Sequence, residues 1–144
     1  MARTSASQPI DTSSAANRSL TLALAAARTA EDNRGRDIVV LDMRALTPIF
    51  DYFVIATGTS RRQLHAMSEE IDHKLEDELD DRRMGIEGYR ESQWILLDYG
   101  SVIIHLFDES MRRYYDLEGL WAQAKRVDLS TVLRGSRGSA SNRD

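Results

Sequence analysis

Gly58-Thr59-Ser60 lies between an apolar run and a helical pattern, and has the residue types and spacing to hold an anion. Free backbone donors and the dipole at a helix N-terminus favour phosphate at such a turn. Several nucleotidyl-transferring enzymes begin their site with a comparable Gly-Ser turn. That chemistry also needs two or three carboxylates converging on a divalent metal, which orients the triphosphate and neutralises developing charge. An Asp-x-Asp pair on the next strand would be the sign. The stretch 84–90 offers only Glu87, and Asp98 stands alone. Asp80-Asp81 is an adjacent doublet near a helix end, the usual composition of solvated surface. A structural cap is the simpler reading, and a nucleotide-binding or nucleotidyl-transferring enzyme is the alternative.

Other chemistries find less. His65, His73 and His105 share no ligand spacing with acidic partners, and His65 and His73 fall two helical turns apart, too far for one ion. Ser60 serves better as a cap than as a nucleophile, and His105 has no evident claim to be its base. With no cysteine in the chain, disulfides, thiolate metal sites and Cys nucleophiles are excluded. The sequence therefore implies no catalytic residue, no metal and no cofactor.

The elements that would position any site begin with Trp94–Phe107. Two β-rich apolar runs flank Gly100-Ser101, and a glycine first in a two-residue loop predicts a II′ hairpin. Antiparallel register then sets Tyr99 against Val102, Leu97 against Ile104 and Ile95 against Leu106 on one apolar face. The opposite face pairs Trp94 with Phe107, Leu96 with His105 and Asp98 with Ile103. It is also largely apolar, so something must cover it, either the protein's own helices or a partner.

Upstream, the spacing predicts a helix from Ser13 or Ser14 to about Asn33, stopped by a left-handed Gly35. Strands follow over Asp37–Met43 and Asp51–Thr57, the first with apolar residues on both faces. Ser60 and Gln63 form a capping box for a helix with Leu64, Met67, Ile71, Leu75 and Leu79 on one face. A short strand is expected in 84–90, at a sheet edge. Asp108 or Ser110 caps a last helix whose stripe is Tyr114, Leu117, Trp121 and Ala124. The fold class is α/β: a single-domain sandwich with a mixed five-stranded sheet and flanking helices.

A chain of 144 residues accommodates one such domain. Residues 13–128 form it, between tails at 1–12 and 129–144 that are too polar to offset their ordering entropy. Arg3 and the Ser and Ala around it faintly suggest a transit peptide. A plain disordered tail and a cytoplasmic protein fit more simply. A net charge of −4 argues against general affinity for nucleic acid, although the local clusters of Arg and Lys leave room for a small anionic contact. No apolar run approaches the ~20 residues needed to span a bilayer.

Several motifs in series then carry a resemblance. The run Asp51-Tyr52-Phe53-Val54-Ile55-Ala56-Thr57-Gly58-Thr59-Ser60-Arg61-Arg62-Gln63 closely resembles the Iojap-like ribosomal silencing factors. So do Glu87-Gly88, the segment from Trp94 to Gly100, and Val102–Phe107. The run Arg112-Arg113-Tyr114-Tyr115-Asp116-Leu117-Glu118-Gly119-Leu120-Trp121 completes the pattern. It spans about residues 15–125 at the family's spacing. Ser101 departs from it, standing where the family commonly has an acid. The resemblance implies a nucleotidyltransferase-like fold without the catalytic carboxylates. It also implies a non-enzymatic factor that binds the large ribosomal subunit through its protein fourteen (uL14). Bound there it would sterically block association with the small subunit, repressing translation when nutrients are short.

On that reading the partner-binding residues are Trp94, Leu96, Asp98, His105 and Phe107, bordered by Arg112, Arg113 and Tyr115. An aromatic anchor ringed by polar groups is the make-up of an interaction hot spot. Asp98 and the negative net charge suit a basic ribosomal protein. The rival reading for each residue is core packing between sheet and helix. A homodimer interface is a third.

Overall fold

The computed structural model describes residues 2–134. The elements run α1 (Ala2–Asp32), β1 (Arg36–Asp42), β2 (Tyr52–Gly58), α2 (Arg61–His73), β3 (Gly85–Glu87), β4 (Trp94–Asp98), β5 (Val102–Asp108), α3 (Glu109–Tyr115), α4 (Leu117–Leu120) and β6 (Lys125–Arg126). The sheet is mixed, in the order β3-β4-β5-β2-β1-β6. Only β2 and β5 run parallel; the other neighbours are antiparallel. It has six strands, not the expected five. The sixth is the two-residue β6 on the outer edge of β1, too short to leave a pattern in the sequence.

The hairpin has the register its turn predicts. Trp94 faces Phe107, Leu96 faces His105 and Asp98 faces Ile103. Gly100 takes φ +84, where a side chain would be strained, and its N–H donates to Asp98 Oδ1 at 2.8 Å. Ile95, Leu97, Tyr99, Val102, Ile104 and Leu106 all enter the larger core, between the sheet and helices α1 and α2. Leu22, Ala23, Ala26, Ala27 and Ala30 let α1 lie close to the sheet, while Leu64, Met67, Ile71 and Leu75 are the buried stripe of α2 and its continuation. All seven residues of β2 are buried.

The other face of the sheet carries a second, smaller core of Leu41, Met43, Phe53, Ile55, Phe107 and Leu117. Its cover is thin, made of Leu46 and Phe50 from the β1–β2 connection and Met111, Trp121 and Ala124 from the region after β5. The expected single last helix is two. Asp116 takes φ 45, which ends α3, and its carboxylate accepts from the Gly119 N–H at 3.2 Å to start α4. Asp108 caps α3 as expected, accepting from Met111 N–H at 2.8 Å.

Helix α1 begins at Ala2, upstream of Ser13. At its other end the left-handed residue is Arg34 (φ 66), not Gly35. Gly35 answers a different need: a Cβ there would stand 2.8 Å from the Ala30 carbonyl oxygen. Residues 2–12 of the expected N-terminal tail thus belong to the helix, and Met1 lies outside the described residues. Of the expected C-terminal tail, 129–134 are described, and Leu129 and Leu133 are buried in the larger core. The rest, 135–144, lies outside the described residues.

Candidate interaction surface

The Gly58-Thr59-Ser60 turn holds a helix start. Ser60 Oγ accepts from Gln63 N–H at 3.1 Å, while Gln63 Oε1 accepts from Thr59 N–H at 2.6 Å and from the Thr59 hydroxyl at 2.9 Å. Gln63 Nε2 donates to the carbonyls of Asn33 and Arg34, tying the turn to the end of α1. Two donors that an anion would use are therefore already committed to the chain. The Leu64 side chain packs over Gly58, where a Cβ would come 2.7 Å from Leu64 Cδ2. Among the described residues no three His, Asp or Glu side chains group as metal ligands.

One nucleophile-like pair does form, outside the sequence candidates. Ser92 (φ 59) lies 2.5 Å from His65 Nε2. The Tyr89 carbonyl oxygen stands 2.7 Å from the same nitrogen. A carbonyl only accepts, so at that distance Nε2 carries a proton and cannot take one from Ser92. The Ser92 hydroxyl donates to Tyr89 O at 2.8 Å instead. The arrangement fixes the loop before β4; the ring of His65 also stacks on Tyr89, with centroids 4.1 Å apart.

The Trp94 face divides into two kinds of residue. Phe107 is 1% exposed and His105 4%, so both belong beneath the surface rather than on it. The reason is the cover after β5, which the sequence leaves open between helix and partner. Trp94 is half-buried. Its ring stacks on Phe107 at 4.9 Å and meets Tyr115 at 4.5 Å, and its Nε1 donates to His105 Nδ1 at 3.1 Å. Burial lowers His105 to a pKa of about 4, so the ring is neutral at ordinary pH. Leu96 is half-exposed and packs in neither core. Asp98 is half-buried and occupied with the Gly100 turn.

The three α3 residues also separate. Arg112 points inward, with its guanidinium on Glu118 at 2.6 Å and on Thr57 Oγ1 at 2.9 Å. It is a strut between α3, α4 and the sheet, not a rim cation. Arg113 is exposed and pairs loosely with Glu109 at 3.6 Å. Tyr115 is 44% exposed against Trp94, and the 78% exposed Tyr114 packs edge-on against Tyr115.

A surface of Trp94, Leu96, Tyr114 and Tyr115 over a buried Phe107–His105 floor suits contact with another macromolecule. Comparison with known proteins gives the chain a family. The family model described as "Ribosomal silencing factor during starvation" (RsfS) matches residues 16–144. The chain belongs to the RsfS family. Ribosomal silencing factor RsfS of Bacillus subtilis is 40% identical over 105 residues, 72% of this chain and 87% of that one. A crystal structure of a Chromobacterium violaceum protein superposes with a TM-score of 0.69 at 36% identity, covering 72% of this chain and 85% of that one. The mouse protein named for mitochondrial assembly of the ribosomal large subunit is 40% identical over 89 residues; these are 60% of this chain but 39% of that longer protein. The Iojap-like assignment made on the motifs thus holds.

For this RsfS-family chain, sequence reasoning misses Tyr114 and the half-exposed Ile103 as members of the face. Ile103 enters the register only as the neighbour of Asp98. Tyr114 falls on a buried stripe only if the last helix is unbroken. Asp116, a residue type that tolerates left-handed backbone, is the available signal for the break.

Proposed function

We propose that this protein is a ribosomal silencing factor that acts by occupancy. It binds the large ribosomal subunit through protein fourteen (uL14) and sterically blocks joining of the small subunit, lowering translation when nutrients are short. Membership of the RsfS family carries this reading, and the Trp94–Leu96–Tyr115 face gives it a physical form. A half-buried Trp backed by Phe107 and His105 is a preorganised anchor, since little side-chain freedom is left to lose on binding. Leu96 and Ile103 add apolar area beside it, and Asp98 and the net charge of −4 favour encounter with a basic partner. No bond is made or broken in this mechanism. Kinship with the nucleotidyltransferase fold and a cytoplasmic site of action belong to the same reading. The described residues include no helix long and apolar enough to cross a membrane.

Co-sedimentation with separated subunits tests it. The protein should pellet with large subunits alone and reduce formation of the joined ribosome in proportion to occupancy. Joining unaffected at saturating protein would end the occupancy mechanism. The alternative, a nucleotide enzyme built on Gly58-Thr59-Ser60, requires a melting-temperature rise with nucleotide and Mg²⁺. The commitment of that turn's donors to Gln63 and Ser60 weighs against it.

A further inference from the structure

The negative net charge hides a segregation. The second half of α2 and its continuation (Lys74–Glu78) carry Glu70, Asp72, Glu76, Asp77 and Glu78. Five exposed arginines gather at the opposite end, around the Gly58–Gln63 turn: Arg34, Arg36, Arg61, Arg62 and Arg90. Arg61 Nη2 donates to the Arg90 carbonyl at 2.7 Å, and Gln63 Nε2 donates to the Arg34 carbonyl at 2.8 Å. Arg36 lies opposite Thr57 in the β1–β2 ladder, next to Gly58. The turn thus brings three separate segments together. Among the described residues none of the five arginines makes an ion pair. The acids at this end are Asp37 and Glu91, next to arginines in sequence, Glu69, whose carboxylate accepts from the Tyr89 hydroxyl, and Asp108, opposite Gly58 in the β2–β5 ladder and engaged in capping α3. Beside Arg61 and Arg90 lies the half-exposed His65–Tyr89 stack, parallel to within 7°.

We propose that this arginine end is a second contact surface, for the phosphate backbone of RNA. Guanidinium groups match phosphate oxygens two at a time and remain charged at any physiological pH. A flat aromatic pair among them offers stacking, which an acidic peptide does not need. The arginine end adjoins the Trp94 end of the sheet, because Arg36, Thr57, Phe107 and Trp94 stand in one row across β1, β2, β5 and β4. A chain seated on a ribosomal protein by that face would present the arginines to neighbouring ribosomal RNA. The inference rests on the proposed ribosomal reading, and deepens it from one contact to two of different chemistry.

The test uses the full chain, large subunits and the double variant Arg34→Glu/Arg62→Glu, two exposed positions at which neither side chain makes an ion pair among the described residues. Affinity is measured across a salt series, with a photo-cross-linking residue at position 62 of a third protein. The wild type should bind with steep salt dependence. The double variant should bind at least about fivefold more weakly, with a log–log slope shallower by roughly one for each phosphate that the two arginines neutralise. The cross-link should be to RNA. Equal affinity and slope would overturn the proposal, as would a cross-link to protein, which would indicate an acidic protein segment instead. Should the wild type not bind subunits at all, the ribosomal reading fails by itself. A short RNA duplex at low salt then decides the arginine end: binding abolished in the double variant sustains it, and no binding by the wild type overturns it.

Discussion

Trp94 Nε1 donates its hydrogen bond to Nδ1 of His105, 3.1 Å away on the neighbouring strand. The relationship fixes both rings. Nδ1 must be bare to accept, so the neutral imidazole carries its proton on Nε2, which is buried and has no hydrogen-bond partner. The Phe53 ring stands nearly perpendicular to the imidazole, at 86° with centroids 4.6 Å apart. The half-buried Trp94 ring is therefore oriented by a residue that lies beneath the surface.

That bond makes a pH prediction. Burial lowers His105 from an ordinary value of 6.5 to about 4. The unfolded chain takes up its proton as pH falls through the ordinary value, whereas the folded chain resists until about 4. The stability contribution is full above 6.5 and is lost between there and about 4, on the order of 3 kcal/mol in all. Melting temperature should fall between about pH 7 and pH 5, and the fall should be smaller in His105→Gln. Identical pH profiles for the two proteins would show that His105 is not the group responsible.

Trp94→Ala should weaken binding and also destabilise the fold by about 2–4 kcal/mol, because the ring packs on Phe107 and Tyr115. Denaturant unfolding measures the second effect. Leu96→Glu should leave stability within about 1 kcal/mol, since Leu96 packs in neither core, yet weaken binding comparably. Stability losses in the reverse order would mean that Leu96 is the packed residue.

Arg112→Ala should cost about 3 kcal/mol, as it leaves Glu118 partly buried without its cation. Burial pushes the Glu118 carboxyl up, but the hydrogen bonds and charge of Arg112 outweigh it and hold the group below the usual carboxylate range. The stability this pair adds is present above that range and lost as pH falls through it. In urea titrations the wild-type advantage over Arg112→Ala should shrink in acid. A constant advantage would mean that Arg112 acts by packing alone.

Gly85 opens β3 and Gly88 follows it, and the two should respond unequally to alanine. Gly88 has φ +78, and a Cβ would sit on the Trp94 carbonyl oxygen, whereas nothing lies near Gly85. Gly88→Ala should lose at least about 2 kcal/mol and Gly85→Ala under about 1. Equal melting temperatures for the two variants would contradict the close approach.

The hairpin register was legible because Gly100 fixes the turn and a period of two fixes everything after it. The face of α2 was legible because Leu64, Met67, Ile71 and Leu75 repeat over three turns. The fate of the second sheet face was not. Its cover depends on whether the segment after β5 runs straight or folds back, and that turns on one dihedral at Asp116. Trp94 and Leu96 alternate identically in sequence, yet Trp94 packs on Phe107 and Tyr115 and Leu96 on neither core. Arg112 and Arg113 look equivalent as a pair, but only Arg112 faces the Thr57–Glu118 slot. Residue type announces neither difference.

The central claim is occupancy of the large subunit through the Trp94–Leu96 face. The most direct measurement is a subunit-joining assay on sucrose gradients, with wild type beside Leu96→Glu, each first checked for cooperative unfolding. The account predicts that wild type accumulates free subunits with the protein on the large one. Leu96→Glu, equally folded, should stay at the top of the gradient and let joining proceed. If Leu96→Glu blocks joining as well as wild type does, this face is not where the protein binds.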